Sequence, residues 1–285
     1  MQKMLVLQSL WAMERRHTDG GERPLEDNVA MILDAGFDGI SMSFTDVGGA
    51  RRAAALVKPH GKVIEAQWFP KTIDDLKPGL QLCAEVGVHH LDIQPDVRPR
   101  RLQDCVPLVE GWRRLAEEVD FPVLIETHRD RMTTDLHFVL DLLDCFPDLK
   151  LLADLSHFLV GREFAWPIPE EAHDQIHRVL ENAWAFHGRV ASREQVQVEI
   201  SFPHHKMWLD TFLDWWEYGF RSWRGRAPAD ATLAFTCELG PKPYSITGRD
   251  GNDTTDRWAE ALIMRDLVRK RWERSATASA GARQK

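Results

Sequence analysis

Four ionisable residues in the second half of the chain each follow a short apolar run. They are Glu126, Asp154, His187 and Glu238. Burying a carboxylate costs on the order of several kcal/mol unless it is paired or bound to a metal. Taken singly, each residue could be a cap or an ion-pair partner. Together, three carboxylates and one imidazole predict a centre for one divalent metal ion, with Mn²⁺ as the first candidate and Mg²⁺, Co²⁺ or Zn²⁺ as alternatives.

Other polar residues lie beside these four at short spacing. His128 comes two positions after the first glutamate, and Arg189 comes two positions after the histidine ligand. Residues two apart share a face of a strand, so both side chains should point toward the same centre. His157 follows the aspartate by three, one turn beyond the strand end. We expect His157 to act in catalysis, and His128 and Arg189 to bind substrate oxygens or a carboxylate.

Three residues in the first half are candidates for the wall of the same site. Trp11 and Trp68 fall at the ends of the first and third apolar runs, where an indole could pack against the C–H faces of a sugar. Packing in the core or at the rim is an equally good interpretation of both. Gln94 follows an inward-facing His90 and Asp92 and is a candidate hydrogen-bond donor to substrate.

The elements that must position these residues are eight short apolar runs rich in strand formers. Each is too short for a typical helix and lies between turn signals, which favours buried parallel strands. Helical patterns separate them, so we predict one (β/α)₈ barrel, with chemistry at the carboxyl ends of its strands. The runs begin at Lys3, Phe37, Lys62, Val88, Phe121, Leu149, Ala183 and Thr232.

Helix ends in the sequence support the same repeat. Gly36 and Gly87 are placed as the residues that stop a helix before the next strand, and Thr134 as the cap that starts one. An open doubly wound sheet is the competing fold, but the first strand–helix turn lacks a GxGxxG loop. The barrel is predicted over residues 1–275, and the small, polar and basic segment 276–285 as a disordered tail.

Composition limits the classes of partner. The chain has 285 residues and a net charge of −8, which argues against nucleic acid as a partner. Its four widely spaced cysteines form no CxxC pair, as expected of free thiols in a reducing compartment. No stretch is apolar enough to cross a bilayer. A cytoplasmic protein acting on a small carbohydrate-like molecule is expected, and a homodimer is left open.

At these residues the chain resembles the xylose-isomerase-like TIM-barrel superfamily, which includes sugar isomerases and epimerases, dehydratases and endonuclease IV. The resemblance rests on LIETHRD, LLADLSHF, FHGRV and CELGP, which contain the four predicted ligands. It implies a metal site with these ligands and a histidine beside it at His157. Ketose epimerases of the superfamily usually carry an acidic residue where this chain has Met132. The Asp-x-His that follows the strand-seven histidine in the nuclease branch is absent, which argues against a nuclease.

Metal chemistry of this kind acidifies a carbon-bound proton next to a carbonyl. Glu126 and Glu238 are then the natural acid–base pair, each also a ligand. An isomerase or epimerase acting on a small ketose or related polyol is the first interpretation. A lyase or dehydratase of oxidised sugars or cyclitols is the second, because elimination needs the same metal and base. A noncatalytic metal-binding barrel subunit is the third.

Overall fold

Eight parallel strands close into a barrel in the computed structural model, which describes residues 1–281, with side chains described to residue 276. Each strand pairs with its chain neighbours, and β1 (Lys3–Ser9) also pairs with β8 (Thr232–Cys237), which closes the sheet. The predicted (β/α)₈ architecture is confirmed. The other strands are β2 (Gly39–Ser43), β3 (Val63–Trp68), β4 (His90–Ile93), β5 (Val123–Glu126), β6 (Leu151–Ala153) and β7 (Ala183–Gly188).

Helices form the outer layer and connect one strand to the next. Their apolar faces pack on the outward-facing strand residues to form the larger hydrophobic cluster. Among the described residues, no helix is both long and apolar enough to cross a membrane. The helices are α1 (Leu25–Asp34), α2 (Val47–Val57), α3 (Leu76–Val86), α4 (Val106–Ala116), α5 (Leu136–Cys145), α6 (Ser156–Gly161), α7 (Glu170–Leu180), α8 (Lys206–Arg226) and α9 (Arg257–Gly281).

The interior of the barrel has an apolar floor and a polar upper part. The floor is a small cluster of inward-facing side chains: Leu7, Leu124, Leu152, Ala185 and Ala234. Strand side chains alternate between the two faces, so the residue two positions beyond each of these also points inward, closer to the carboxyl ends. For β5, β6 and β7 those next residues are Glu126, Asp154 and His187, and on β8 it is Thr236, two positions before Glu238.

Helix termini follow the sequence prediction in two places and depart from it in one. Gly36, two positions after the end of α1, and Gly87, directly after α3, adopt φ of +81° and +70°, a region that favours glycine. The predicted cap Thr134 is wrong, because Asp135 accepts the hydrogen bond from the amide of Phe138 at the start of α5. The backbone of residues 276–281, part of the predicted tail, is helical in α9, and residues 282–285 lie outside the described chain.

Candidate metal centre

The carboxyl end of the barrel brings the four predicted ligands together. Glu126 ends β5, Asp154 directly follows β6, and Glu238 directly follows β8, while His187 lies within β7. One possible ligand atom from each side chain lies within 4.8 Å of those of the other three. All four side chains are buried. Since the contributing strands are successive in the barrel, their side chains converge on one point.

A glycine in β7 permits the close packing behind this site. A Cβ at Gly188 would lie 2.3 Å from the ring of Phe235 and 2.8 Å from the sulfur of Met264, both outside the barrel. Glycine lets β8 and α9 approach the back of β7 closely. His187 and Arg189, on either side of Gly188, point into the barrel, as the alternation of a strand requires.

His187 is held from behind by a carboxylate that the sequence analysis did not single out. Glu65 on β3 is fully buried, and its Oε1 lies 2.8 Å from His187 Nε2 across the interior of the barrel. Its Oε2 accepts a hydrogen bond from Thr236 at 2.9 Å and lies 2.9 Å from His90 Nε2. Because a carboxylate only accepts, Nε2 of His187 carries the proton. Its Nδ1 therefore faces Glu126 and Glu238, at 3.3 and 3.2 Å.

Arg189 is part of the cluster rather than a freely available substrate anchor. Its Nη2 donates to Glu238 Oε2 at 2.5 Å, and its Nε and Nη2 both lie 3.2 Å from Asp154 Oδ2. Gln67 donates to the other oxygen of Glu238 at 3.2 Å. Only Nη1 of Arg189 lacks a hydrogen-bond partner among the described residues. In this arrangement Arg189 can offer a substrate oxygen only Nη1, since the other two guanidinium nitrogens are already engaged.

His157 and His128 lie side by side next to the four ligands. His157 is fully buried in the first turn of α6, and its Nε2 lies 3.5 Å from Asp154 Oδ2. Its ring centroid is 4.0 Å from that of His128, which is half-buried. Ser156 donates to the other oxygen of Asp154 through its amide and its hydroxyl. The start of α6 therefore fixes Asp154 and presents His157 to the same space.

Two neighbouring carboxyl groups have no protein donors. Asp92 on β4 is fully buried, and its oxygens and those of Glu126 have no hydrogen-bond partner within residues 1–276. Burial, followed by the charge of Glu126, raises the pKa of Asp92 well above its usual range. More than nine in ten buried polar groups in proteins are hydrogen-bonded. The raised pKa of Asp92 favours a proton shared with Glu126, and a cation bound at this point would take the place of that proton.

The protein itself supplies two counterions to the cluster. Burial opposes protonation of His187, but the surrounding carboxylates, Glu238 foremost, raise its pKa well above its usual range. At Glu238 burial would raise the pKa, but His187 and Arg189 outweigh it and lower the pKa to about 2. Burial raises the pKa of Asp154 despite the nearby guanidinium. Negative charge thus exceeds what the imidazolium and guanidinium offset.

A cavity of about 680 Å³ opens above the cluster. Gln94, His128, Arg189 and Glu238 reach it from the barrel, and Trp11 lines it just beyond β1. The ring of Tyr244, in the loop after β8, makes an edge contact with Trp11 at 5.0 Å between centroids. The guanidinium of Arg189 lies 4.8 Å from the Tyr244 ring centroid. Cations and aromatic rings at this distance attract each other, so these residues form one wall.

Trp68 does not line this cavity, and its predicted place in the pocket wall is wrong. Its indole N–H donates to the carbonyl of Asp75 at 2.7 Å, and its ring packs against α3, where a Cβ on Gly79 would lie 2.8 Å from it. Glu65 and Gln67 take the inward positions of β3, so Trp68 must point outward. Phe69, the next residue, lines the cavity instead.

Comparisons with known proteins identify the fold. No protein-family model and no curated protein matches the chain. Among solved structures, a xylose isomerase-like TIM barrel protein from Mycobacterium smegmatis in complex with magnesium is similar with a TM-score of 0.57 and 14% identity, over 93% of this chain and 97% of that one. The chain therefore has the same TIM-barrel fold as this protein.

Two further solved structures are similar over nearly their whole length. The 3-keto-D-glucoside 4-epimerase YcjR from E. coli has a TM-score of 0.55 and 14% identity, over 94% of this chain and 100% of that one. The probable 3-DHS dehydratase AsbF from Bacillus anthracis has a TM-score of 0.56 and 14% identity, over 94% of this chain and 97% of that one. Proteins of similar fold are thus named for different reactions, and the reaction of this chain must be argued from its own site.

The residues at the mouth of this barrel fit a divalent ion. Their oxygen and nitrogen donors suit Mg²⁺, Mn²⁺, Co²⁺ or Zn²⁺. Both oxygens of Glu126 are free to bind it, and the imidazole of His187 is oriented by a carboxylate, as is usual for metal-binding histidines. An ion at this point would share the oxygens of Glu238 and Asp154 with Arg189.

Several residues of the centre were missed in the sequence or given no role. Glu65 and Gln67 sit inside an apolar strand of the first half, and Asp92 was expected to point inward without a function. A charged residue within a buried strand is the signal that identifies Glu65 and Asp92. Tyr244 has a weaker signal, an aromatic residue six positions after Glu238 in an active-site loop.

Proposed function

We propose that this protein is a divalent-metal-dependent isomerase or epimerase that acts on a small ketose or related polyol. The observation that carries the proposal is the convergence of three carboxylates and one imidazole from successive strands, all buried, within 4.8 Å. Glu238, one of the four, lines an open polar cavity, which lets a small molecule reach the edge of this cluster. When bound, the ion would withdraw charge from a substrate carbonyl and so acidify the neighbouring C–H bond.

Glu126 and Glu238 are the groups assigned to move the proton. Both oxygens of Glu126 lack protein donors, so one can accept a proton from the carbon beside the carbonyl. The C–H electron pair then forms a C=C bond, and the carbonyl π pair moves to oxygen to give an enediolate. Glu238, after taking a proton from solvent in the cavity, returns it to the other face or to the adjacent carbon. The first outcome is epimerisation and the second is isomerisation.

The cavity wall supplies the contacts that orient a polyol. The free Nη1 of Arg189 and the amide of Gln94 are donors for substrate hydroxyl or carbonyl oxygens. Trp11 and Tyr244 present aromatic surfaces to the less polar faces of a sugar ring. A water-accessible but partly apolar wall of this kind suits a small carbohydrate better than an extended chain.

Deuterium exchange tests the proposal. Ketoses, 3-keto sugars and keto-cyclitols would be incubated in heavy water with protein loaded with Mn²⁺. The true substrate should gain deuterium at the carbon beside its carbonyl, and Glu126→Gln or Glu238→Gln should abolish this exchange. Glu110→Gln, an exposed change on α4, is the matched control and should exchange normally.

The same spectra separate the alternatives. A product of unchanged mass apart from the label indicates an isomerase or epimerase, whereas loss of water or of an aglycone indicates a lyase. Turnover without any exchange would contradict the proton-transfer roles of both glutamates. Protein that binds no divalent ion at all would refute the metal centre.

A further inference from the structure

A smaller pocket beside the barrel mouth is lined mainly by cations. Its volume is about 260 Å³, and it lies between the loop after β1 and the loop that joins β8 to α9. It shares no lining residue with the cavity above the four-ligand cluster. Four of its lining residues are positively charged and two are negatively charged, in a chain whose net charge is −8. They are Arg15, Arg16, Lys242 and Arg257, with Asp253 and Asp256.

The guanidinium of Arg16 has no oxygen acceptor in the described part of the chain. Its Nη1 reaches only the sulfur atoms of Met13 and Met31, each at 3.7 Å, and sulfur is a weak acceptor. Its Nε is buried and has no hydrogen-bond partner there. Burial lowers the pKa of Arg16, and the charge of Arg257 adds to this effect while Asp256 opposes it. Because an arginine keeps its proton in proteins, only an acceptor from outside the chain can satisfy this group.

Arg15 and Lys242 bring two further cations to the same pocket, and neither forms an ion pair within residues 1–276. Arg15 Nη1 donates to the carbonyl of Lys242 at 3.0 Å, and Lys242 Nζ donates to Asn252 at 3.2 Å. Other N–H groups of both side chains remain for a further acceptor. Both oxygens of Glu22 accept from the amide of Arg15, at 2.9 and 3.1 Å, and so hold its backbone at a φ of +51°.

The two acidic residues of the pocket are engaged by other groups. Asp253 accepts from Arg257 Nε at 2.5 Å and from the hydroxyl of Ser245 at 2.6 Å. Asp256 accepts from the amide of Trp258 at 2.9 Å, at the start of α9. Asp253 therefore offsets the charge of Arg257, and the other three cations of the lining face only Asp256. Positive charge is left over, and an anion would balance it.

We propose that this pocket binds an oxyanion of the phosphate type, as free phosphate or as the phosphate group of a small monoester, through Arg15, Arg16 and Lys242. A phosphate group accepts several charge-assisted hydrogen bonds and matches the fork of a guanidinium. The hydroxyls of Thr18 and Thr255 lie on the lining and have no partner among the described residues, so they are additional donors. The site does not depend on the proposed reaction, because it is separate from the substrate cavity.

A bound anion would join the two loops that carry one wall of the substrate cavity. Trp11 comes four positions before Arg15 on the first loop, and Tyr244 comes two positions after Lys242 on the second. The two aromatic rings are in contact, with 5.0 Å between their centroids. Phosphate should therefore slow hydrogen exchange of the backbone amides in both loops, since opening either loop would break its contacts with the anion.

Titration of the full-length protein with inorganic phosphate and with glycerol phosphate tests the site. A chelator is present throughout, so that no metal ion can hold the phosphate. Calorimetry should show one phosphate bound per chain, with weaker binding at higher salt, and hydrogen exchange should slow in both loops. Tighter binding of glycerol phosphate would identify a monoester as the ligand, and tighter binding of phosphate would identify the free ion. No saturable binding of either would overturn the proposal.

Variants locate the bound anion. Arg16→Gln and Lys242→Gln should each weaken phosphate binding by about tenfold or more, because each removes a charged donor. Lys242 is only partly buried, so its variant tests the site even if Arg16→Gln does not fold. Arg114→Gln, a change at an exposed arginine of α4, is the matched control and should bind phosphate as the wild type does. Unchanged affinity in both site variants, or an equal loss in Arg114→Gln, would overturn the assignment and leave the proposed function intact.

Discussion

The carboxylate behind His187 provides the most direct test of how the barrel would prepare the proposed metal centre. In the wild-type protein His187 Nε2 lies 2.8 Å from Glu65 Oε1. The substitution Glu65→Gln keeps the size of this side chain, and the amide oxygen can still accept the hydrogen bond from His187 Nε2. It removes the negative charge that makes this hydrogen bond strong and that increases the basicity of the opposite ring nitrogen. We expect weaker binding of the ion at the four-ligand site.

The size of the effect follows from the change in one buried hydrogen bond. A hydrogen bond to a charged group contributes about 1.5–3 kcal/mol and a neutral one about 0.5–1.5 kcal/mol. The difference of about 1–1.5 kcal/mol corresponds to about tenfold weaker binding. Glu65→Leu removes the acceptor altogether and also takes away the carboxylate beside His90 Nε2 and the Thr236 hydroxyl, so its effect should approach about 100-fold, the upper end for such supporting residues.

The assay is a competition for Co²⁺ between the protein and a chromogenic chelator. Thermal unfolding in excess chelator checks that each variant is folded, and Glu110→Gln on the exposed surface of α4 controls for the loss of one acidic group. The expected order of affinity is wild type and Glu110→Gln, then Glu65→Gln, then Glu65→Leu. If folded Glu65→Leu binds Co²⁺ as tightly as the wild type, the orienting role of Glu65 is wrong.

Two further predictions concern the fold and the cavity. Cys145 is exposed, whereas the other three cysteines are buried, and burial raises the pKa of each of those to about 11 or about 12. Native protein should therefore take up one maleimide per chain and unfolded protein four, and rapid reaction of a second thiol would contradict the packing. Trp68→Phe should lower the melting temperature with little change in KM, because the indole bonds to α3, whereas Trp11→Leu should raise KM. A higher KM in the Trp68 variant would restore its place in the pocket wall.

The sequence predicted the barrel and the convergence of the four candidate ligands because both depend on local patterns. Strand and helix signals repeat along the chain, and an ionisable residue after an apolar run is visible without knowledge of the partners. Closure of the barrel then places the carboxyl ends of β5 to β8 next to one another. Glu126 and His187 could be placed in one site on this basis, although they are far apart in the chain.

Contacts across the interior of the barrel could not be predicted in the same way. Glu65 on β3 reaches His187 on β7, and no spacing rule connects strands that are not neighbours. The same contact explains the error at Trp68. An inward Glu65 fixes which face of β3 points into the barrel, and Trp68, three positions later, must lie on the other face. A buried charge in the middle of a strand is therefore as informative as one at its end, because it determines the orientation of every side chain in that strand.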